Sequence, residues 1–595
     1  VIEAPSVVTR SLRSLRVALA LALASAAPAC RPADDTGALA YPAGPLAVAP
    51  GAVLPDLAFE GVSQAGVIGD IHLHDYLAPP GGRASLLVVA VSGGLWCGTC
   101  RWFAAHAPEI DGGRGPERVR RLDVVLGDRD NAPARAEDAR AWQQAFALRG
   151  TAVAADPGFS LGALLAERGA PLPLFVLVDR ASMRVADVLS NPAPEELTGS
   201  IDAALAKLDG AAAPPPPEEV LVDGLLHRNE WDLLAETTLP GAPPPDPTNA
   251  VADEPEAGAL GKALFFDLGL SPSHRVSCAT CHDPGKHLSD DRPVAEGAAT
   301  GDRRTPAIGL AAHARWQFWD GRADSLWAQA LGPFENAGEM GSSRLFVARR
   351  IASAHGDAYA RAFPAEPLPA TAAWPAQGKP GDPAFEALSA ADRDAATRVF
   401  VNAGKAIAAY ERTFTVKPNR LDAYLRGDRR ALDPLERYGV LQFARNGCMQ
   451  CHWGPRLTDD AFHVTRTATG RHDRAADRGR LDGETALLAS DFRADGRWSD
   501  GPHEGLAPLV APSERLLGQT KTPPLRGVAD LSHFGHGGAD ASLAAVAEAY
   551  GKGGLPAADP SSAGVREPWL PRFGETVQWA LVPFLRTLTA DPGAP

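Results

Sequence analysis

VSCATCHDP, at residues 276–284, places Cys278, Cys281 and His282 in a C-x-x-C-H run. Two thiols at this spacing can each form a thioether to a porphyrin, and the adjacent histidine then reaches the iron from the same face. The run returns as Cys448-Met449-Gln450-Cys451-His452. The chain therefore carries two attachment sites for haem c, with His282 and His452 as the proximal iron ligands. With 7 Cys and 15 His in 595 residues, composition alone would produce such a run roughly 0.002 times, so accident is set aside.

The other cysteines sort around these four: Cys97 and Cys100 form a separate C-x-x-C, and Cys30 stands alone. Arg10, Arg13 and Arg16 precede an apolar run from Val17 to Ala24 and then small residues to Ala29. That is the layout of a secretory or lipoprotein signal over residues 1–30. Cys30 is either the lipid-carrying first residue of a mature chain or an unmodified or removed cysteine, and a lipid set would anchor the chain to a membrane. Covalent haem attachment normally takes place outside the cytoplasm, so the location expected is the periplasm or cell envelope. The net charge of −14 argues against nucleic acid as a partner, because phosphate binding needs concentrated Lys and Arg.

Residues 31–50, rich in Ala, Pro and Gly, read as a tether. A new unit begins at residue 51. Within it the apolar run Ser85–Val91 predicts a buried strand leading into Trp96-Cys97-Gly98-Thr99-Cys100 and a helix over Arg101–Ala107. Strand, C-x-x-C and helix in this order resemble the thioredoxin-like redox family, over residues 51–208. Leu122–Leu126 and Leu174–Val178 would supply further central strands. The resemblance implies that Pro173 is a cis-proline facing the cysteine pair, that Cys97 is the attacking thiolate at a helix N-terminus, and that Cys100 resolves the mixed disulfide. A static disulfide stapling the turn stays open as the alternative. Pro214–Pro217 and Pro243–Pro245 make residues 209–248 a Pro-rich linker, expected to leave the two halves unfixed in orientation.

Beyond the linker, the ordered segments LGKALFFD (260–267), VSCATCHDP, RRTP (303–306), QFWDGRADSLWAQALGP (317–333), GEMG (338–341), NAGKAIAAYERT (402–413), GCMQCHWGPRLTD (447–459) and KTPPLRGV (521–528) resemble the bacterial di-haem cytochrome c peroxidases and the related MauG-type enzymes. The fold class expected is thus multidomain: an α/β thioredoxin-like domain followed by two mainly α-helical cytochrome c-type domains. The first, at 249–430, would hold the peroxidatic haem and the second, at 431–595, the electron-transfer haem.

Residue roles follow from that resemblance. Glu339 matches the catalytic acid–base that takes and returns the peroxide proton, and Gln329 matches the distal glutamine. Trp319 matches the tryptophan lying between the haems. Ala298 stands where many relatives place a blocking histidine, which implies a first haem open to peroxide without reductive activation. His287 is too close to His282 in sequence to cross the porphyrin and reads as a loop histidine. At the second haem, Tyr550 matches the position of a methionine ligand, and a tyrosinate oxygen would hold that haem at a lower potential. Arg304 replaces an asparagine that binds calcium in relatives; a guanidinium cannot coordinate a cation, which argues against calcium here. His463, His503 and His533 have no spacing partner and default to structural roles.

The reaction implied is reduction of hydrogen peroxide at the first haem, with electrons relayed through the second from a small donor cytochrome or cupredoxin. MauG-like oxidation of a protein or organic substrate and a non-enzymatic electron carrier remain open as alternatives. A homodimer is compatible with the resemblance.

Overall fold

The run Ser85–Val91 forms an interior strand of a seven-stranded sheet in the computed structural model, which describes residues 39–79, 81–163, 171–465, 476–502, 511–554, 563–570 and 572–590. Its strands are β1 (Ala58–Val62), β2 (Ile68–His72), β3 (Leu86–Ser92), β4 (Val119–Val125), β5 (Ala152–Ala155), β6 (Leu174–Asp179) and β7 (Arg184–Ser190), in the order β2-β1-β5-β4-β3-β6-β7. β3 runs parallel to β4 and antiparallel to β6. All seven β3 residues are buried, as a strand covered on both faces requires. A helix at Gly98–Ala105 follows β3 directly and begins inside the C-x-x-C, with Cys97 as its N-cap. The Leu172–Pro173 peptide is cis, and Thr99 Oγ1 donates to Leu172 O at 3.1 Å. The proline turn therefore lies against the cysteine turn, the arrangement of a thioredoxin-like domain.

The cytochrome portion is helical. A long helix spans Ala390–Glu411, and it crosses the Pro255–Phe265 helix so closely that a Cβ on Gly261 would collide with Ala406 O. Only glycine allows that backbone approach. Around the crossing, Leu260, Leu264, Phe265, Trp327, Phe334, Phe400 and Ile407 form one buried cluster. In the second cytochrome portion the Pro434–Arg445 and Glu575–Leu585 helices pair, with Phe443 against Phe584 at 5.1 Å between ring centroids.

The expected spacer at 209–248 is corrected by the structure. Leu221–Val222 and Leu226–His227 form a small hairpin, and Arg228–Ala235 form a helix. Leu226, Leu233 and Leu234 are buried in the same cluster as β3, the Gly98–Ala105 helix and the Pro434–Arg445 helix. Trp102 Nε1 donates to Asp232 Oδ2 at 3.0 Å, and Tyr424 Oη donates to Asp223 Oδ2 at 2.7 Å. The apolar residues between the two proline clusters thus join the halves instead of separating them. Residues 43–595 form one compact unit.

One ion pair ties several of these segments. Arg526 and Asp422, each with a side chain 1% exposed, make a two-pronged contact at 2.9 and 2.8 Å, and Arg526 also donates to Pro455 O and Thr237 O. Removing one partner of such a pair strands the other in a low-dielectric interior. Arg526→Met is expected to cost about 3–5 kcal/mol, read as a lowered denaturation midpoint of the holoprotein. No helix among the described residues is long and apolar enough to cross a membrane. Residues 1–30, with Cys30, and His503 lie outside the described residues.

Candidate functional site

Both C-x-x-C-H runs fold as a single tight turn. Cys278–Cys281 form one helical turn capped by Ser277, and Cys448–Gln450 form a 3-10 turn entered through Gly447. In each, the histidine backbone N–H donates to the carbonyl of the first cysteine, at 2.9 Å. This draws both thiols and the imidazole together. His282 Nδ1 donates to Leu288 O at 3.1 Å, and His452 Nδ1 donates to Leu457 O at 2.9 Å. Leu288 and Leu457 both adopt a left-handed φ of 56°, which turns their carbonyls back toward the rings. With Nδ1 committed, Nε2 is the nitrogen left for a metal, and the carbonyl sets both tautomer and ring orientation. Burial holds each imidazole below its ordinary pKa, with the carbonyl bond opposing. A neutral imidazole is the ligating form.

The four thiols are unpaired and half-buried. Burial raises all four above the ordinary thiol value, so they are protonated until consumed. This donor set, two free thiols and one oriented imidazole per site, fits covalently attached haem at both places.

At the first site, Glu339 sits where its charge is felt at both Cys278 and Cys281. Burial raises its pKa, opposed by the Arg322 guanidinium and by a hydrogen bond from Asn336 Nδ2 to Oε1 at 2.6 Å. Its loop is stitched to the segment carrying Ala298: the Ala298 and Ala299 backbone N–H groups donate to Glu339 O at 2.7 Å and Gly338 O at 3.0 Å. Residue 298, where a blocking histidine would stand, therefore packs beside the Glu339 loop and presents only a methyl group. Gln329 lies half-buried in the Leu326–Glu335 helix, ten residues before Glu339 in the chain. His287 Nδ1 is 3.4 Å from Ala590 O and 3.6 Å from Asp530. It stitches the chain end to the loop, in keeping with a structural histidine.

Trp319 is buried between the two cytochrome portions. Its Nε1 donates to Arg304 O at 2.9 Å, and its carbonyl accepts from the Lys521 N–H at 2.8 Å. Its ring lies 6.4 Å from that of His536 and 5.6 Å from the Arg304 guanidinium. Arg304 itself is buried and donates to Thr305 O, so a fixed cation occupies the loop where calcium was considered.

At the second site, Tyr550 projects from the Leu543–Lys552 helix and faces Cys451 and Cys448, with its hydroxyl bonded to Thr465. Burial holds the phenol well above its ordinary pKa.

Three further residues belong to these sites: Glu411 and Trp453, to which the sequence pattern gives no role, and His463, which by spacing reads only as structural. Glu411, at the end of the Ala390–Glu411 helix, is buried beside Cys278, its Oε2 has no hydrogen-bond partner among the described residues, and burial pushes its pKa up to about 8. His463, expected only as a structural histidine, is buried against Asp459 at 2.9 Å, and one of its ring nitrogens, an Asp459 carboxylate oxygen and Cys451 Sγ lie within 4.8 Å of one another. Trp453 follows His452 and donates from Nε1 to Trp96 O at 2.7 Å. Cys97 and Cys100 form a disulfide and are both 0% exposed. They do not lie at an open surface, as an attacking thiolate for external partners would.

Comparison with known proteins agrees with this construction. The family described as di-haem cytochrome c peroxidase matches residues 255–430. The methylamine utilization protein MauG of Methylorubrum extorquens is 32% identical over 344 residues, 57% of this chain and 80% of that protein. The cytochrome c551 peroxidase of Pseudomonas aeruginosa is 37% identical over 207 residues, 34% of this chain and 52% of that protein. The chain thus spans about half the length of one relative and four-fifths of the other. The solved diheme peroxidase BthA of Burkholderia thailandensis matches with 24% identity and a TM-score of 0.44, covering 59% of this chain and 94% of that one. With two oriented C-x-x-C-H turns and a MauG relative covered over most of its length, the chain belongs to the di-haem cytochrome c peroxidase and MauG family, with a thioredoxin-like domain built onto its N-terminal side.

Proposed function

We propose that this protein is a di-haem peroxidase that reduces hydrogen peroxide at the His282 site and needs no prior reduction to open it. The observation that carries the reading is the Glu339 loop, which holds a buried carboxyl beside the first attachment site and is backed by Ala298 instead of a ligating side chain. Bound at Cys278, Cys281 and His282, haem iron would supply the centre at which the peroxide O–O bond is cleaved. Glu339 then takes the proton from the near oxygen and returns it to the departing one. Arg322 keeps the carboxylate accessible against the cost of burial. Gln329 is assigned the polar contact to the second oxygen.

Trp319, bonded to Arg304 on one side and to Lys521 on the other, is the aromatic group through which electrons would pass between the two sites. His452 and Tyr550 would hold the second haem. A phenolate oxygen there stabilises ferric iron, and this favours the second reading: a MauG-like protein that keeps two oxidising equivalents and spends them on a protein or organic substrate. The Cys97–Cys100 disulfide and covalent haem both suit an oxidising compartment, which supports a periplasmic or envelope location.

Peroxide turnover with a reduced small cytochrome or cupredoxin tests the choice. Rapid catalytic oxidation of the donor is expected for the peroxidase. An oxidised state that persists and is discharged poorly by the donor favours MauG-like chemistry, and no reaction with peroxide at all leaves only an electron carrier.

A further inference from the structure

The Cys97–Cys100 pair has no surface through which a partner protein could reach it. Trp453 covers the turn: its Nε1 bonds Trp96 O, and the Arg101 guanidinium lies 4.2 Å above its ring. A Cβ on Gly98 would fall 2.7 Å from Trp453 Cγ and 2.9 Å from Met449 O, so the space between the cysteines is filled by the second haem-attachment segment. The Leu172–Pro173 turn closes the other side through Thr99. Thiol–disulfide exchange needs an external sulfur in line with one of the pair, and this packing forbids that approach.

Electron transfer has no such requirement, and the same packing supplies a route. Trp96, the neighbour of Cys97 in the chain, is 1% exposed. Its ring meets that of His463 edge-on at 4.7 Å between centroids, and stacks on Trp569 at 5.8 Å. His463 in turn lies within 4.8 Å of Cys451 Sγ, an attachment thiol of the second haem. Trp453 makes a second link, from the proximal histidine's neighbour to the Trp96 carbonyl.

We propose that Cys97 and Cys100 are an internal two-electron donor to the second haem site, so that the reduced pair is closed to a disulfide by peroxide acting at the first site and not by exchange with another protein. The inference rests on the peroxidase reading above. In the step proposed, both S–H bonds break and one S–S bond forms. The two electrons leave through Trp96, His463 and Cys451 toward the peroxide site. The two thiol protons are released to solvent, and two are taken up as the peroxide O–O bond breaks and both oxygens leave as water. One peroxide is consumed per cysteine pair.

The test uses the intact holoprotein under anaerobic conditions. Dithionite titration should take two more electrons than the Cys97→Ser/Cys100→Ser variant, because the pair is reduced through the haem. Stoichiometric peroxide is then added, and samples are quenched in denaturant with a maleimide and weighed by mass spectrometry. Two equivalents of peroxide accept the four electrons held by the two ferrous haems and the cysteine pair, so loss of both free thiols is expected by the second equivalent, and Glu339→Gln should slow that loss about 100-fold or more, in step with the haem spectrum. Three outcomes overturn the proposal: no additional electrons taken up by the wild type, thiols that persist while the haem spectrum responds to peroxide, or thiol loss equally fast in Glu339→Gln, which would mean direct attack by peroxide. The first two leave the peroxidase reading standing. A haem spectrum that never responds to peroxide removes both.

Discussion

Glu339→Gln is expected to slow the reaction with peroxide by about 10²–10⁴-fold while leaving both haems attached. The amide keeps the size of the carboxyl and can still accept from Asn336, but it cannot take a proton. The attachment turns are held by Ser277, Leu288, Gly447 and Leu457, none of which depends on the Glu339 charge. The pH profile carries the same information. Burial raises the Glu339 pKa above the ordinary carboxylate range, and only the ionised form accepts the peroxide proton. The wild-type rate should therefore climb with pH through that raised value and fall away below it, and Glu339→Gln should lose this limb. Stopped-flow rates across pH, with haem content checked by absorbance, measure both effects.

Tyr550→Met should raise the potential of the second haem by tenths of a volt, within the roughly 0.8 V that axial ligands command. The phenol faces Cys448 and Cys451 and is held by Thr465. As a phenolate it would favour ferric iron, whereas a thioether favours ferrous iron. The variant should then accept electrons from a small cytochrome more readily and hold oxidising equivalents for a shorter time. Tyr550→Phe separates ligation from packing: it keeps the ring and removes the oxygen. A spectroelectrochemical titration in which neither variant moves the second haem would make Tyr550 a packing residue.

Much of this molecule is legible in the sequence because its signals are local. The β-branched run leading into Cys97 specifies a central strand, and each C-x-x-C-H run fixes a turn by itself. The loop bearing Glu339 was found through a motif, and its packing on Ala298 through space. What escaped depends on distant partners. Proline clusters at both ends of residues 209–248 suggest a spacer, but Leu226, Leu233 and Leu234 form an apolar face whose burial needs surfaces of both neighbouring domains. His463 has no ligand-like spacing to Cys451; the turn between them closes that gap. Glu411 ends a long helix, where an isolated acid is ordinarily solvated, and only the fold places it beside Cys278. Trp453 and Trp96, each next to a motif in the chain, were the signals of an interface between the two redox units.

An open first site should work from the fully oxidised protein. The most direct measurement is a stopped-flow spectrum of diferric holoprotein, never exposed to reductant, mixed with one equivalent of peroxide. An immediate spectral change with one peroxide consumed is expected, and the same change without acceleration after pre-reduction by one electron. A diferric protein that stays inert until one haem has been reduced would contradict it.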